Sequence, residues 1–119
     1  MDDLSNQDRV FELAAELFAV LSTPVRLKII SAVCDNEKNV SELLAIVETT
    51  QPNMSQHLAT LYRSGVMARR REGALVYYRL KSEYVATLCR SVCTQMAIDL
   101  DGEVGAVQVE GMTSGIPAR

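Results

Sequence analysis

The chain has 119 residues, 48% apolar and 5% aromatic, and its 15 acidic and 12 basic side chains give a net charge of −3. That is the length of a single domain with enough apolar content for a packed core, which excludes a wholly disordered chain. No apolar run reaches the ~20 residues of a membrane span. The acidic start Met1-Asp2-Asp3-Leu4 lacks the apolar stretch of a signal peptide, and three cysteines suit no disulfide framework, so a cytoplasmic protein with reduced thiols is expected.

Leu13, Leu17, Val20 and Leu21 recur at helical spacing with Phe18 beside them, so residues 7–21 read as an amphipathic helix. Ser22-Thr23-Pro24 ends it and opens the next, since proline is tolerated in a first turn. Residues 24–34 carry Val25, Leu27, Ile29, Ile30 and Val33 and read as a largely buried second helix. Residues 35–39 read as a polar loop, 41–47 as a short helix, and Glu48-Thr49-Thr50 as a turn. Pro52 starts a helix running to Tyr62, on which Met54, Leu58 and Leu61 face the core. Asn53, Gln56, His57 and Thr60 then point the other way.

Gly65 follows that helix where a left-handed residue is often needed. Residues 66–71 and 74–80 are β-rich runs around Glu72-Gly73 and read as a hairpin. Residues 82–100 return to helix, with Val85, Leu88, Val92 and Met96 in an apolar stripe. Residues 1–101 therefore form the domain. Residues 102–119 hold Gly102, Gly105, Gly111, Gly115 and Pro117 without periodicity and read as a flexible tail.

The net charge conceals an asymmetry. Residues 50–81 contain Arg63, Arg69, Arg70, Arg71, Arg79 and Lys81 against Glu72 alone, while residues 1–22 hold five acidic groups and one basic. A basic band inside an acidic chain points to an anionic partner, because the local field governs contact more than the sum does. Two short helices with a tight turn, followed by an arginine-rich hairpin, form a winged helix-turn-helix, a mainly α fold with a β-hairpin. A helix fits the major groove and presents polar side chains to base edges. Asn53, Gln56 and His57 suit that task, Ser55 and Thr60 suit an edge or a phosphate, and Arg63 extends the basic band. Arg69, Arg70 and Arg71 suit the phosphate backbone, which supplies affinity without sequence information. Alternation along a strand lets two of these three reach DNA. An enzyme is not expected: His57 is the single histidine, no Cys-His or Ser-His-Asp set can be built around it, and there is no glycine-rich phosphate loop.

The segment Leu21-Ser22-Thr23-Pro24-Val25-Arg26-Leu27-Lys28-Ile29-Ile30 resembles the opening "L-x-x-P-x-R-L-x-I-L" of the ArsR/SmtB family of bacterial repressors. Val40-Ser41-Glu42-Leu43 resembles that family's first helix-turn-helix element. Gln51-Pro52-Asn53-Met54-Ser55-Gln56-His57-Leu58-Ala59-Thr60-Leu61 resembles its recognition helix "Q-x-x-x-S-x-H-L-x-x-L". Gly65-Val66, Arg70-Arg71-Glu72-Gly73 and Tyr77-Tyr78-Arg79-Leu80 resemble its wing. The resemblance covers roughly residues 10–98. It implies three helices, a recognition helix, a wing and a final helix, and a homodimer joined through 7–21 and 82–100. It also implies an inverted-repeat operator released by a small inducer, with no cofactor.

Family sites for inducers are only partly matched. The cysteine pair "C-V-C" is missing from Glu42-Leu43-Leu44-Ala45-Ile46, and the zinc and nickel site on the last helix lacks its histidines. Cys34 closes the second helix, while Cys89 and Cys93 lie i, i+4 on the last. The resemblance implies that sulfide- and persulfide-sensing members carry one cysteine on each of these helices, at about Ser31 and Ala97. Cys34 and Cys93 are each displaced by about one turn, ~5 Å, and in antiparallel helices the two shifts run in the same direction. A thiol switch of Cys34 and Cys93, with Cys89 accessory, responding to reactive sulfur or an oxidant, is the leading expectation. The alternative is a soft-ion site for arsenite formed by Cys34, Cys89 and Cys93.

Overall fold

The computed structural model describes residues 3–108. The elements run α1 (Asp3–Val20), α2 (Pro24–Val33), β1 (Lys38–Asn39), α3 (Val40–Ile46), α4 (Gln51–Arg63), β2 (Met67–Glu72), β3 (Leu75–Leu80) and α5 (Glu83–Gln108). The chain divides into two compact units, Met1–Ala86 and Thr87–Arg119.

The first unit is a winged helix-turn-helix. The starts of α2, α3 and α4 are fixed by local chemistry. Thr23 caps α2, its hydroxyl accepting from the Arg26 amide at 3.1 Å, and Pro24 follows in the first turn, where its missing N–H costs nothing. Asn39 and Glu42 form a reciprocal capping box on α3, with both bonds at 2.9 Å. Thr50 caps α4, accepting from the Asn53 amide at 3.2 Å. Past α4, Gly65 takes φ +84°, a left-handed conformation that a Cβ would oppose.

The core consists of Ile29 and Ile30 from α2, Leu43 from α3, Met54, Leu58 and Leu61 from α4, Met67 from β2 and Val85 from α5. The i, i+4, i+7 spacing on α4 therefore buries the expected three residues. The sheet order is β1-β3-β2, antiparallel throughout, with Met67 opposite Leu80, Arg69 opposite Tyr78, Arg71 opposite Val76 and Glu72 opposite Leu75. Gly73, with φ +63°, stands first in the two-residue turn, the position that a type II′ turn reserves for glycine.

Two expectations are corrected. Lys38 and Asn39 belong to a strand rather than a loop, pairing with Tyr78 and Tyr77 and making the hairpin a three-stranded sheet. Two polar residues carry no periodicity to read, and the open edge of β3 supplies the partner. The last helix does not end near residue 100 but continues to Gln108. Gly102 and Gly105 weaken a helix by about 1 kcal/mol each relative to alanine, which does not by itself end one. The flexible tail expected at 102–119 is thus helical over 102–108, and residues 109–119 lie outside the described residues. Among the described residues no helix is long and apolar enough to cross a membrane.

Candidate nucleic-acid interface

The α4 helix is capped by Thr50 and seated on its apolar side, so its outer face is fixed by the core beneath it. Asn53, Ser55, Gln56 and Arg63 are exposed on it, while His57 and Thr60 are half-buried. His57 sits at the edge of the face, with Nδ1 accepting from Arg26 Nε at 3.1 Å. Burial, and secondarily the Arg26 charge, hold its pKa below the ordinary 6.5, so the ring is neutral at neutral pH. Gln56, His57, Ala59, Thr60, Arg63 and Arg26 line a cavity of about 280 Å³.

The wing sorts its arginines by strand alternation. Met67 faces the core, so Arg69 and Arg71 share its side of β2 and Arg70 takes the other. Arg69 lies over the Tyr62 ring of α4, 3.9 Å from the centroid, within cation–π range. Its charged form is further favoured, chiefly by Tyr78 and then by Tyr62. Tyr62, Arg63, Arg69 and Lys81 border a second cavity of about 510 Å³, so three cations gather where α4 meets the wing. Arg71 is exposed and, among the described residues, makes no ion pair.

Arg70 stands apart from its neighbours. Its Nε donates to Glu37 Oε2 at 2.9 Å, its Nη2 also donates to Glu37, and its Nη1 donates to Glu72 Oε2 at 3.0 Å. It lies 4.9 Å from the Tyr77 ring centroid. The Arg70 hydrogen bond holds the Glu37 carboxyl below its ordinary range, and Glu37 and Glu72 raise the Arg70 pKa in turn. The sequence grouped Arg70 with its neighbours, but its charge is already met by two carboxylates. Arg26 and Glu37 are the residues that sequence reasoning missed. Arg26 was visible within the motif that includes Pro24, but its partner His57 is 31 positions away.

Of the cysteines, Cys34 is half-buried, Cys89 buried and Cys93 exposed, and no disulfide joins them among the described residues. Cys34 borders a cavity of about 320 Å³ with Asp35, Glu37 and Arg79. Among the described residues no group of three His, Cys, Asp or Glu is placed to hold a metal ion.

Residues 23–67 match the family described as bacterial regulatory protein, arsR family. The chain is 34% identical over 86 residues to the transcriptional activator HlyU of Vibrio cholerae, covering 72% of this chain and 80% of HlyU. The chain belongs to the arsR family. The structure of reduced HlyU from Vibrio cholerae superimposes with a TM-score of 0.68 at 32% identity, covering 73% of this chain and 92% of that one. The HTH-type transcriptional regulator KmtR of Mycobacterium tuberculosis is 36% identical over 76 residues, 64% of this chain. The matched part spans 58% of KmtR's own length. Mb0332 of Mycobacterium bovis, described as a homodimeric winged helix-turn-helix DNA-binding domain, superimposes with a TM-score of 0.72 at 25% identity, over 85% of this chain and 92% of that one. The winged helix-turn-helix expected from the sequence is therefore the observed fold, and the named relatives are regulators of transcription.

Proposed function

We propose that this arsR-family protein is a homodimeric transcriptional repressor that reads an inverted repeat with α4 in the major groove. The observation that carries this reading is the exposed polar face of α4, with Asn53, Ser55, Gln56 and Arg63, set directly against the cationic edge formed by Arg69 and Lys81. Asn53, Gln56 and His57 address base edges, Ser55 and Thr60 an edge or a phosphate, and Arg63, Arg69 and Arg71 the backbone. Arg70 is left out of the contact set because Glu37 and Glu72 neutralise it. Dimerisation is supported by apolar side chains left exposed in the single chain: Leu4, Phe11 and Phe18 on α1, and Tyr84, Val92, Met96 and Leu100 on α5. The test is a mobility shift with a duplex that the protein selects from a random-sequence pool. The selected sequence should be an inverted repeat with half-sites about one helical turn apart, ~34 Å. Selection of no sequence would reject the reading.

We infer further that the operator is released when thiols of Cys34 and Cys93 are modified, with Cys89 accessory. The exposure of Cys93 and the cavity beside Cys34 support reagent access to both. With a polysulfide, two thiols give up two protons and two electrons to form a disulfide while one S–S bond of the reagent is reduced to two thiols. A bridge that keeps one reagent sulfur between them breaks two S–S bonds of the reagent and releases its two end sulfurs as thiols. Cys34→Ser and Cys93→Ser should each bind DNA in the presence of polysulfide while the unaltered protein lets go. Mass spectrometry should find the loss of two hydrogens, or added sulfur, on peptides containing Cys34 and Cys93. An arsenic adduct with arsenite and no change with polysulfide would point to soft-ion sensing instead. Normal release by polysulfide in both serine variants would place the sensor elsewhere.

A further inference from the structure

Arg26 makes two bonds that the recognition motif does not explain. Its Nε donates to His57 Nδ1 at 3.1 Å, and its Nη1 donates to the Val20 carbonyl at 2.9 Å. Val20 is the last residue of α1, where helix carbonyls lack intrahelical partners and a cation is favoured. One guanidinium rooted in the first turn of α2 thus holds the end of α1 and the middle of α4 together. Arg26 and His57 are both half-buried.

The bond dictates the state of the imidazole. A guanidinium can only donate, so Nδ1 must offer its lone pair and the ring proton must sit on Nε2. The charged groups facing the ring are Arg26 from α2 and Arg63 from its own helix, α1 contributes the Val20 carbonyl, and no carboxylate lines the cavity. Nothing there rewards a second proton on the ring. Its lowered pKa follows, with burial the larger cause and Arg26 the smaller.

We propose that Arg26 is a positioning residue for base recognition: it fixes His57 as a neutral ring whose one donor, Nε2–H, reads a hydrogen-bond acceptor on a base edge. This rests on the DNA-reading role of α4. In the major groove the acceptors are purine N7, guanine O6 and thymine O4, whereas cytosine presents only a donor. The position read by His57 therefore discriminates against cytosine, and the same guanidinium transmits the orientation of α1 to the reading helix.

The chain has one histidine, so a long-range ¹H–¹⁵N spectrum reports this imidazole alone. The unaltered protein should show the Nε2–H tautomer with a pKa below the ordinary value. Arg26→Ala should mix the tautomers and raise the pKa. In fluorescence anisotropy, the ratio of affinities for the selected duplex and for a random duplex should fall roughly fivefold in Arg26→Ala, the lower end of one base contact. An Nδ1–H tautomer in the unaltered protein overturns the proposal without any variant. So does an Arg26→Ala protein with an unchanged ring spectrum and an unchanged ratio. If the unaltered protein prefers no duplex, the DNA reading itself fails, and the tautomer still reports separately on the Arg26–His57 bond.

Discussion

At the residue scale, three consecutive arginines have three different surroundings. Arg69 is stacked on Tyr62, Arg70 is held between Glu37 and Glu72, and Arg71 is exposed. A cation already met by two carboxylates has little left to give a phosphate, so the three should differ in how they respond to salt. Arg71→Ala should weaken binding to selected and random duplexes alike and flatten the log–log salt slope by about one unit per lost phosphate contact. Arg70→Ala should leave that slope unchanged, and equal slopes for the two variants would count against the sorting. Glu37→Gln should have the opposite effect, releasing Arg70 and steepening the slope. The Glu37–Arg70 pair also has a pH signature. A carboxyl whose folded pKa lies below its unfolded value stabilises the fold above the unfolded value, near 4.5, and that contribution is lost as pH falls through the folded pKa. The wild-type melting temperature should therefore fall more steeply below that pH than that of Glu37→Gln. Strand alternation made it legible that two of the three arginines share a face, and Met67 at the strand start tells which two. Glu37 was not legible, because a glutamate in a polar stretch gives no sign that it closes on a residue 33 positions away.

At the element scale, α4 was the most legible part, since its apolar triplet has helical spacing and its start is marked by Thr50 and Pro52. The strand β1 was invisible, because its two residues are specified by the edge of β3 and by the capping box of α3 rather than by their own pattern. For α1 and α5 the spacing alone marks an apolar stripe, and only the family resemblance names a second copy as what covers it. Leu4, Phe11 and Phe18 recur every seven residues on α1, and Tyr84, Val92, Met96 and Leu100 follow a four-residue step on α5, all exposed. Covering one such side chain contributes roughly 1.5–3 kcal/mol. In a two-fold interface each substitution counts twice, so Phe18→Glu should weaken the dimer by several kcal/mol. Sedimentation should give twice 13.1 kDa for the unaltered chain and 13.1 kDa for Phe18→Glu at the same concentration. A monomeric unaltered protein would remove α1 and α5 from the interface.

At the scale of the whole molecule, a chain of net charge −3 gathers three cations where α4 meets the wing, so composition alone gave the wrong impression of its proposed partner. The motif order was legible because DNA reading imposes residue types at fixed helical spacing. The inducer was not, since cysteine can serve equally well as a small apolar core residue or as a reactive thiol, and Cys34, Cys89 and Cys93 span half-buried, buried and exposed settings. The central claim is that α4 reads bases while the wing holds the backbone. Its most direct test is to compare Gln56→Ala with Arg71→Ala by fluorescence anisotropy, each on the selected duplex and on a scrambled one. Gln56→Ala should lose about 1–3 kcal/mol on the selected duplex and almost nothing on the scrambled one, while Arg71→Ala loses on both. Gln56→Ala binding the selected duplex as tightly as the unaltered protein, or losing equally on both, would contradict it.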